Sequence, residues 1–138
     1  MKYLGIFIFA LALVIGISPI FWGCQEGMKL ANGMTAPMKC HWTAVVEMGL
    51  GVLTGALGGM LFFSKRKETR QSLSIMGAIL GAFVVLVPTS IIGVCASNMM
   101  ACRNLMLPTL VLSGILVVAA CIALFVSSFR MSEPPAAA

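Results

Sequence analysis

Charge is scarce in this chain: nine Lys and Arg, four acidic residues and one His, so that 9% of 138 residues are charged. A water-facing globule needs most of its outside to be polar, and a soluble domain is therefore excluded. Familiar catalytic patterns are also missing. There is no phosphate loop, catalytic-triad motif, zincin motif or dinucleotide fingerprint, and no Cys-x-x-Cys. What is abundant is apolar residue, 60% of the total, arranged in runs of about twenty, the length that crosses the hydrocarbon core of a bilayer.

Four such runs are readable, at Tyr3–Phe21, Thr43–Phe63, Leu73–Val94 and Leu105–Phe129. The connections are Trp22–Trp42, Ser64–Ser72 and Cys95–Asn104. The expected fold is an all-α membrane protein with four transmembrane helices arranged as two similarly oriented hairpins. Residues 1–130 form this single domain, and 131–138, with Pro134-Pro135, form a flexible cytoplasmic tail. Lys2 before an apolar run also suits a signal peptide. The lack of a small-x-small cleavage site favours a retained helix, and bulky Phe21 and Trp22 before Gly23-Cys24 suit a lipoprotein processing site poorly.

The basic residues fix an orientation. Six Lys and Arg (Lys2, Lys65, Arg66, Lys67, Arg70, Arg130) share the side of the termini, against three on the other (Lys29, Lys39, Arg103). By the positive-inside rule both termini are expected in the cytoplasm, with Trp22 and Trp42 at the outer boundary. The net charge of +5 thus belongs to topology. No folded basic face supports nucleic-acid binding.

Within the spans Gly51, Gly55 and Gly59 recur every fourth residue, as do Gly77 and Gly81. Such spacing lets a neighbouring helix approach closely. The neighbour can be a helix of this chain, a second copy or a larger membrane complex. Pro88 should bend the third span, with Thr89 and Ser90 at hand for a freed backbone group.

The pattern Met-x-Cys-basic occurs twice, as Met38-Lys39-Cys40-His41 and Met100-Ala101-Cys102-Arg103, each after an earlier cysteine, Cys24 or Cys95. Four cysteines on an oxidising side favour structural disulfides. Of three connectivities, the local one, Cys24–Cys40 with Cys95–Cys102, is preferred over the crossed Cys24–Cys95 with Cys40–Cys102. Cys121, inside the last span, is expected to be a small buried hydrophobe. Thiol–disulfide exchange is the enzymatic alternative, yet four-helix oxidoreductases of the vitamin K epoxide reductase type use a close Cys-x-x-Cys pair.

Soft donors surround the cysteines. Met38, His41 and Met100 could ligate Cu(I) or haem iron, although methionines mostly fill irregular apolar gaps and no cofactor is required. Glu47 is the one acidic residue inside a span. It needs a hydrogen-bonding or cationic partner, or a proton. His41, Lys39 and Arg103 are the candidates. A polar latch between hairpins is the structural reading, and a proton or ligand contact at Glu47, His41 and Arg103 the functional one.

The run Pro37-Met38-Lys39-Cys40-His41-Trp42-Thr43-Ala44, with Glu47 and Met100-Ala101-Cys102-Arg103 beyond it, resembles a bacterial family of small four-helix membrane proteins of unknown function. The similarity extends from about the first loop to the last span. Members are often encoded beside permeases and ATPases of the MacB/FtsX type of ATP-binding-cassette transporter. The resemblance implies a non-enzymatic accessory subunit of such a transporter in the bacterial cytoplasmic membrane, with a disulfide-clipped outer cap. It assigns no catalytic or ligand residue.

Overall fold

The computed structural model describes residues 2–22, 28–29, 31–36, 39–94 and 102–130. Four long helices dominate: α1 (Lys2–Trp22), α2 (Lys39–Phe63), α3 (Lys67–Leu86) and α4 (Leu107–Arg130). A π-helical turn, Val87–Ile91, prolongs α3, and another, Cys102–Met106, leads into α4. Two-residue strands, β1 (Met28–Lys29) and β2 (Thr35–Ala36), pair antiparallel between α1 and α2. All four helices are long and apolar enough to cross a membrane. Large apolar side chains such as Phe7, Val52, Ile79 and Leu112 point outward, as lipid-facing residues do. This is a multi-pass membrane protein. The tail 131–138 lies outside the described residues.

Helix ends depart from the expected spans where polar residues continue a helix. The linker expected at Ser64–Ser72 shrinks to Ser64–Arg66, because α3 already begins at Lys67. Lys, Glu, Arg and Gln are good helix formers, and Glu68 sits in the first turn, where negative charge meets the positive end of the helix dipole. Arg66 caps α3 in extended geometry (φ −83°, ψ 134°). Arg70 Nε donates to the Ser64 carbonyl at 3.1 Å, tying the end of the linker to the new helix.

Three prolines, Pro19, Pro88 and Pro108, sit within helical stretches, each beside a hydroxyl that bonds a backbone carbonyl. Beside Pro108, Thr109 Oγ1 reaches the Leu105 carbonyl at 2.7 Å. Pro19 in α1 removes the N–H that would bond the Ile15 carbonyl; Ser18 Oγ reaches that carbonyl in a long 3.5 Å bond. At Pro88 the chain passes into the π-helical turn, and Thr89 Oγ1 donates to the Val85 carbonyl at 2.6 Å. Ile92 N and Gly93 N both donate to the Val87 carbonyl, at 3.0 and 3.2 Å, closing the turn.

Packing follows the small residues. Helix α1 lies mainly on α2, and α3 mainly on α4, with thinner contacts joining α1 to α4 and α2 to α3. A Cβ placed on Gly51 would stand 2.7 Å from both Cα and N of Gly16, and one on Gly58 3.0 Å from Phe9 N. Backbone therefore meets backbone where α1 crosses α2. Between α3 and α4 the close points are Gly81 and Gly114, whose added Cβ atoms would lie 3.1 and 3.0 Å from the other's carbonyl oxygen. Gly77 receives the Cys121 sulfur in the space a methyl group would occupy. Ile8, Ile15, Leu57, Leu61, Val84, Leu110, Val117 and Leu124 fill the space between the two pairs.

Candidate functional site

The buried acid and its polar flank lie toward the end of the bundle where α2 begins. An α-helix turns about 100° per residue, so Cys40, Thr43, Ala44 and Glu47 share one flank of α2, and all four are buried. Met106, at the entry to α4, is buried as well and belongs with Cys40, Ala44 and Leu110 to the core cluster. Thr43 links α2 to the break after α3: its hydroxyl donates to the Gly93 carbonyl at 2.8 Å. Gly93 holds φ +78°, a left-handed conformation that suits glycine.

Glu47 is 0% exposed, and neither carboxylate oxygen has a hydrogen-bond partner among the described residues. The three expected partners stand elsewhere. Lys39, His41 and Arg103 are all exposed. Lys39 and His41 lie eight and six residues before Glu47, which turns them about 80° and 120° away around the helix. His41 instead sets its ring edge against Trp42, with centroids 6.2 Å apart. The structure does not bring Glu47, His41 and Arg103 together.

The remaining candidates separate by position. Among the described residues no three His, Cys, Asp or Glu side chains gather where they could hold a metal. Of the soft-donor set, Met38 and Met100 lie outside the described residues. No disulfide is seen among the described residues: Cys40 is turned into the core, while Cys24, Cys95 and the Cys102 side chain lie outside them. Cys121 is a buried thiol against Gly77, in the hydrophobic role expected for it.

The glycine faces divide more finely than their spacing suggests. Gly51 packs against α1, and Gly55 reaches ordinary contact with Ala12 Cβ at 3.6 Å. Gly59 meets no neighbour within this chain: no atom of the described residues lies within 4 Å of a Cβ placed there. Four-residue steps each drift about 40°, so Gly59 is rotated about 80° from Gly51, while Gly58 returns to within about 20°. Gly55 and Gly59 instead line a groove of about 490 Å³ between α1 and α2, with Phe9, Leu13, Gly16 and Ala56 among its walls. Sequence reasoning missed Gly5, Gly16, Gly58 and Gly114. Seven-residue spacing from Gly51 to Gly58 and eleven-residue spacing from Gly5 to Gly16 were the available signals, since both return a side chain to nearly the same helix face.

Residues 6–126 match the family described as a domain of unknown function, DUF4418. The chain belongs to the DUF4418 family. No curated protein and no solved structure matches it. The DUF4418 match spans both helix pairs, Glu47, Thr43, Gly93 and the groove-lining glycines.

Proposed function

We propose that this DUF4418 protein is a non-enzymatic accessory subunit of an ATP-binding-cassette transporter in the bacterial cytoplasmic membrane. The observation that carries the proposal is the open groove along α1 and α2. Its floor is backbone at Gly16, Gly55 and Gly59, with Ala56 beside it and apolar walls at Phe9, Leu13 and Val52. In lipid, helices associate through such small-residue faces because close backbone approach gains dispersion contacts. The intended occupant is one transmembrane helix of the permease subunit, as the family resemblance implies.

In this reading α1–α2 and α3–α4 are two similarly oriented hairpins with both termini in the cytoplasm. The six-to-three partition of Lys and Arg supports that orientation. The test is site-directed photo-crosslinking from position 59 in the native membrane, followed by mass spectrometry. An adduct with a transporter permease is expected, and Gly59→Leu should abolish co-purification while leaving the fold intact. A chain that crosslinks only to lipid, or only to its own copies, refutes the proposal.

A further inference from the structure

Among the described residues seven polar or charged side chains are buried: Ser18, Thr43, Glu47, Thr54, Ser74, Ser113 and Ser128. Six are hydroxyls, and each already gives its single hydrogen to a backbone carbonyl. Glu47 alone among them has no partner, and no buried hydroxyl can donate to it without abandoning a carbonyl. A carboxylate enclosed this way is costly unless it takes a proton or a positive charge or donor meets it. Among the described residues no other charged side chain is buried with it. Helical side chains lean toward the N-terminus of their own helix, which is the direction of Thr43, one turn before Glu47 on the same flank. At that level the Thr43 hydroxyl, on the same buried flank of α2, meets the Gly93 carbonyl at the end of the broken third span.

We infer that Glu47, Thr43 Oγ1 and the Gly93 carbonyl form a binding site for a monovalent inorganic cation of the sodium or potassium type. Oxygen-only donors select hard cations. One carboxylate carries one negative charge, so a monovalent ion leaves a neutral pair in the low-dielectric core, whereas a divalent ion leaves an excess charge there. Interrupted membrane helices are a general source of carbonyl ligands for such ions, and the third span is interrupted at Pro88, five residues before Gly93. The site is independent of the groove on the lipid side of α1 and α2.

The experiment is thermal unfolding of the detergent-purified protein in sodium, potassium or choline chloride, at one pH and equal ionic strength. Wild type should melt higher in at least one alkali salt than in choline, with a difference that saturates. Glu47→Gln should erase the difference. Thr43→Val should raise the half-saturating concentration roughly tenfold, the equivalent of losing one hydrogen-bond-sized contact, and Thr43→Ser should restore it. Equal melting of wild type in all three salts overturns the inference, as does a Glu47→Gln protein that keeps the difference. Where Glu47→Gln fails to fold, equilibrium binding of radioactive sodium or rubidium to wild type decides: one ion per chain supports the site and none overturns it.

Discussion

Replacing Gly51 by alanine places a methyl group where the α1 backbone already stands. Its Cβ would lie 2.7 Å from Gly16 Cα and N, against 3.4–4 Å for ordinary contact. Neither backbone atom can rotate away, so the two helices must part by about 1 Å at the crossing. A gap of that size forfeits a quarter to a half of each dispersion contact, worth about 0.1–0.2 kcal/mol apiece. Summed over some tens of atom pairs, the loss is about 1–3 kcal/mol, the range found for overpacked cores. Gly58→Ala, with Phe9 N at 3.0 Å, should cost less. Gly59→Ala meets open space and should change stability by under about 0.5 kcal/mol. Reversible unfolding in mixed micelles, followed by tryptophan fluorescence, gives all three values. A Gly59→Ala cost equal to that of Gly51→Ala would refute the assignment of the packing face.

Further expectations concern other contacts. Gly77→Ala brings a methyl within 2.6 Å of Cys121 Sγ; combined with Cys121→Ala it should show a favourable coupling of about 1 kcal/mol in a double-mutant cycle. Thr43→Val removes the bond to Gly93 and should cost about 1 kcal/mol in choline buffer, where no alkali ion contributes. Gly93→Ala forces a side chain onto φ +78° and should destabilise by about 1 kcal/mol or more, measurable in the same unfolding assay. Arg70→Ala loses the bond to the Ser64 carbonyl and should speed hydrogen exchange at the start of α3, with a stability cost of about 0.5–1 kcal/mol.

Hydropathy alone placed the four spans, because a bilayer demands length and apolarity from every crossing segment. It placed the start of α3 late, since Lys67–Ser72 is polar yet made largely of residues that favour helix. The glycine signal was legible as packing, while the neighbour each glycine meets was not: counting by fours follows a stripe that winds around α2, so Gly59 turns away from the α1 interface that Gly51 and Gly58 share. Glu47 was marked by its chemistry. Its surroundings were not legible, because Thr43 meets a carbonyl fifty residues away at a glycine with no local motif. Proximity of His41 in sequence suggested a partner, but helical rotation carried it to the exposed side.

The linker Ser64–Arg66 has a mechanical consequence. Three residues between Phe63 and Lys67 span at most about 14 Å, little more than the usual 8–10 Å between packed helix axes. The linker therefore keeps the adjoining ends of α2 and α3 side by side, and a tilt of α2 about that end moves its start most. Helix α2 has 25 residues, a lever of about 37 Å. Tilting it by about 5° would part the far end by about 3 Å, roughly the diameter of a water molecule, and the Thr43–Gly93 bond is the fastening that such a tilt must undo.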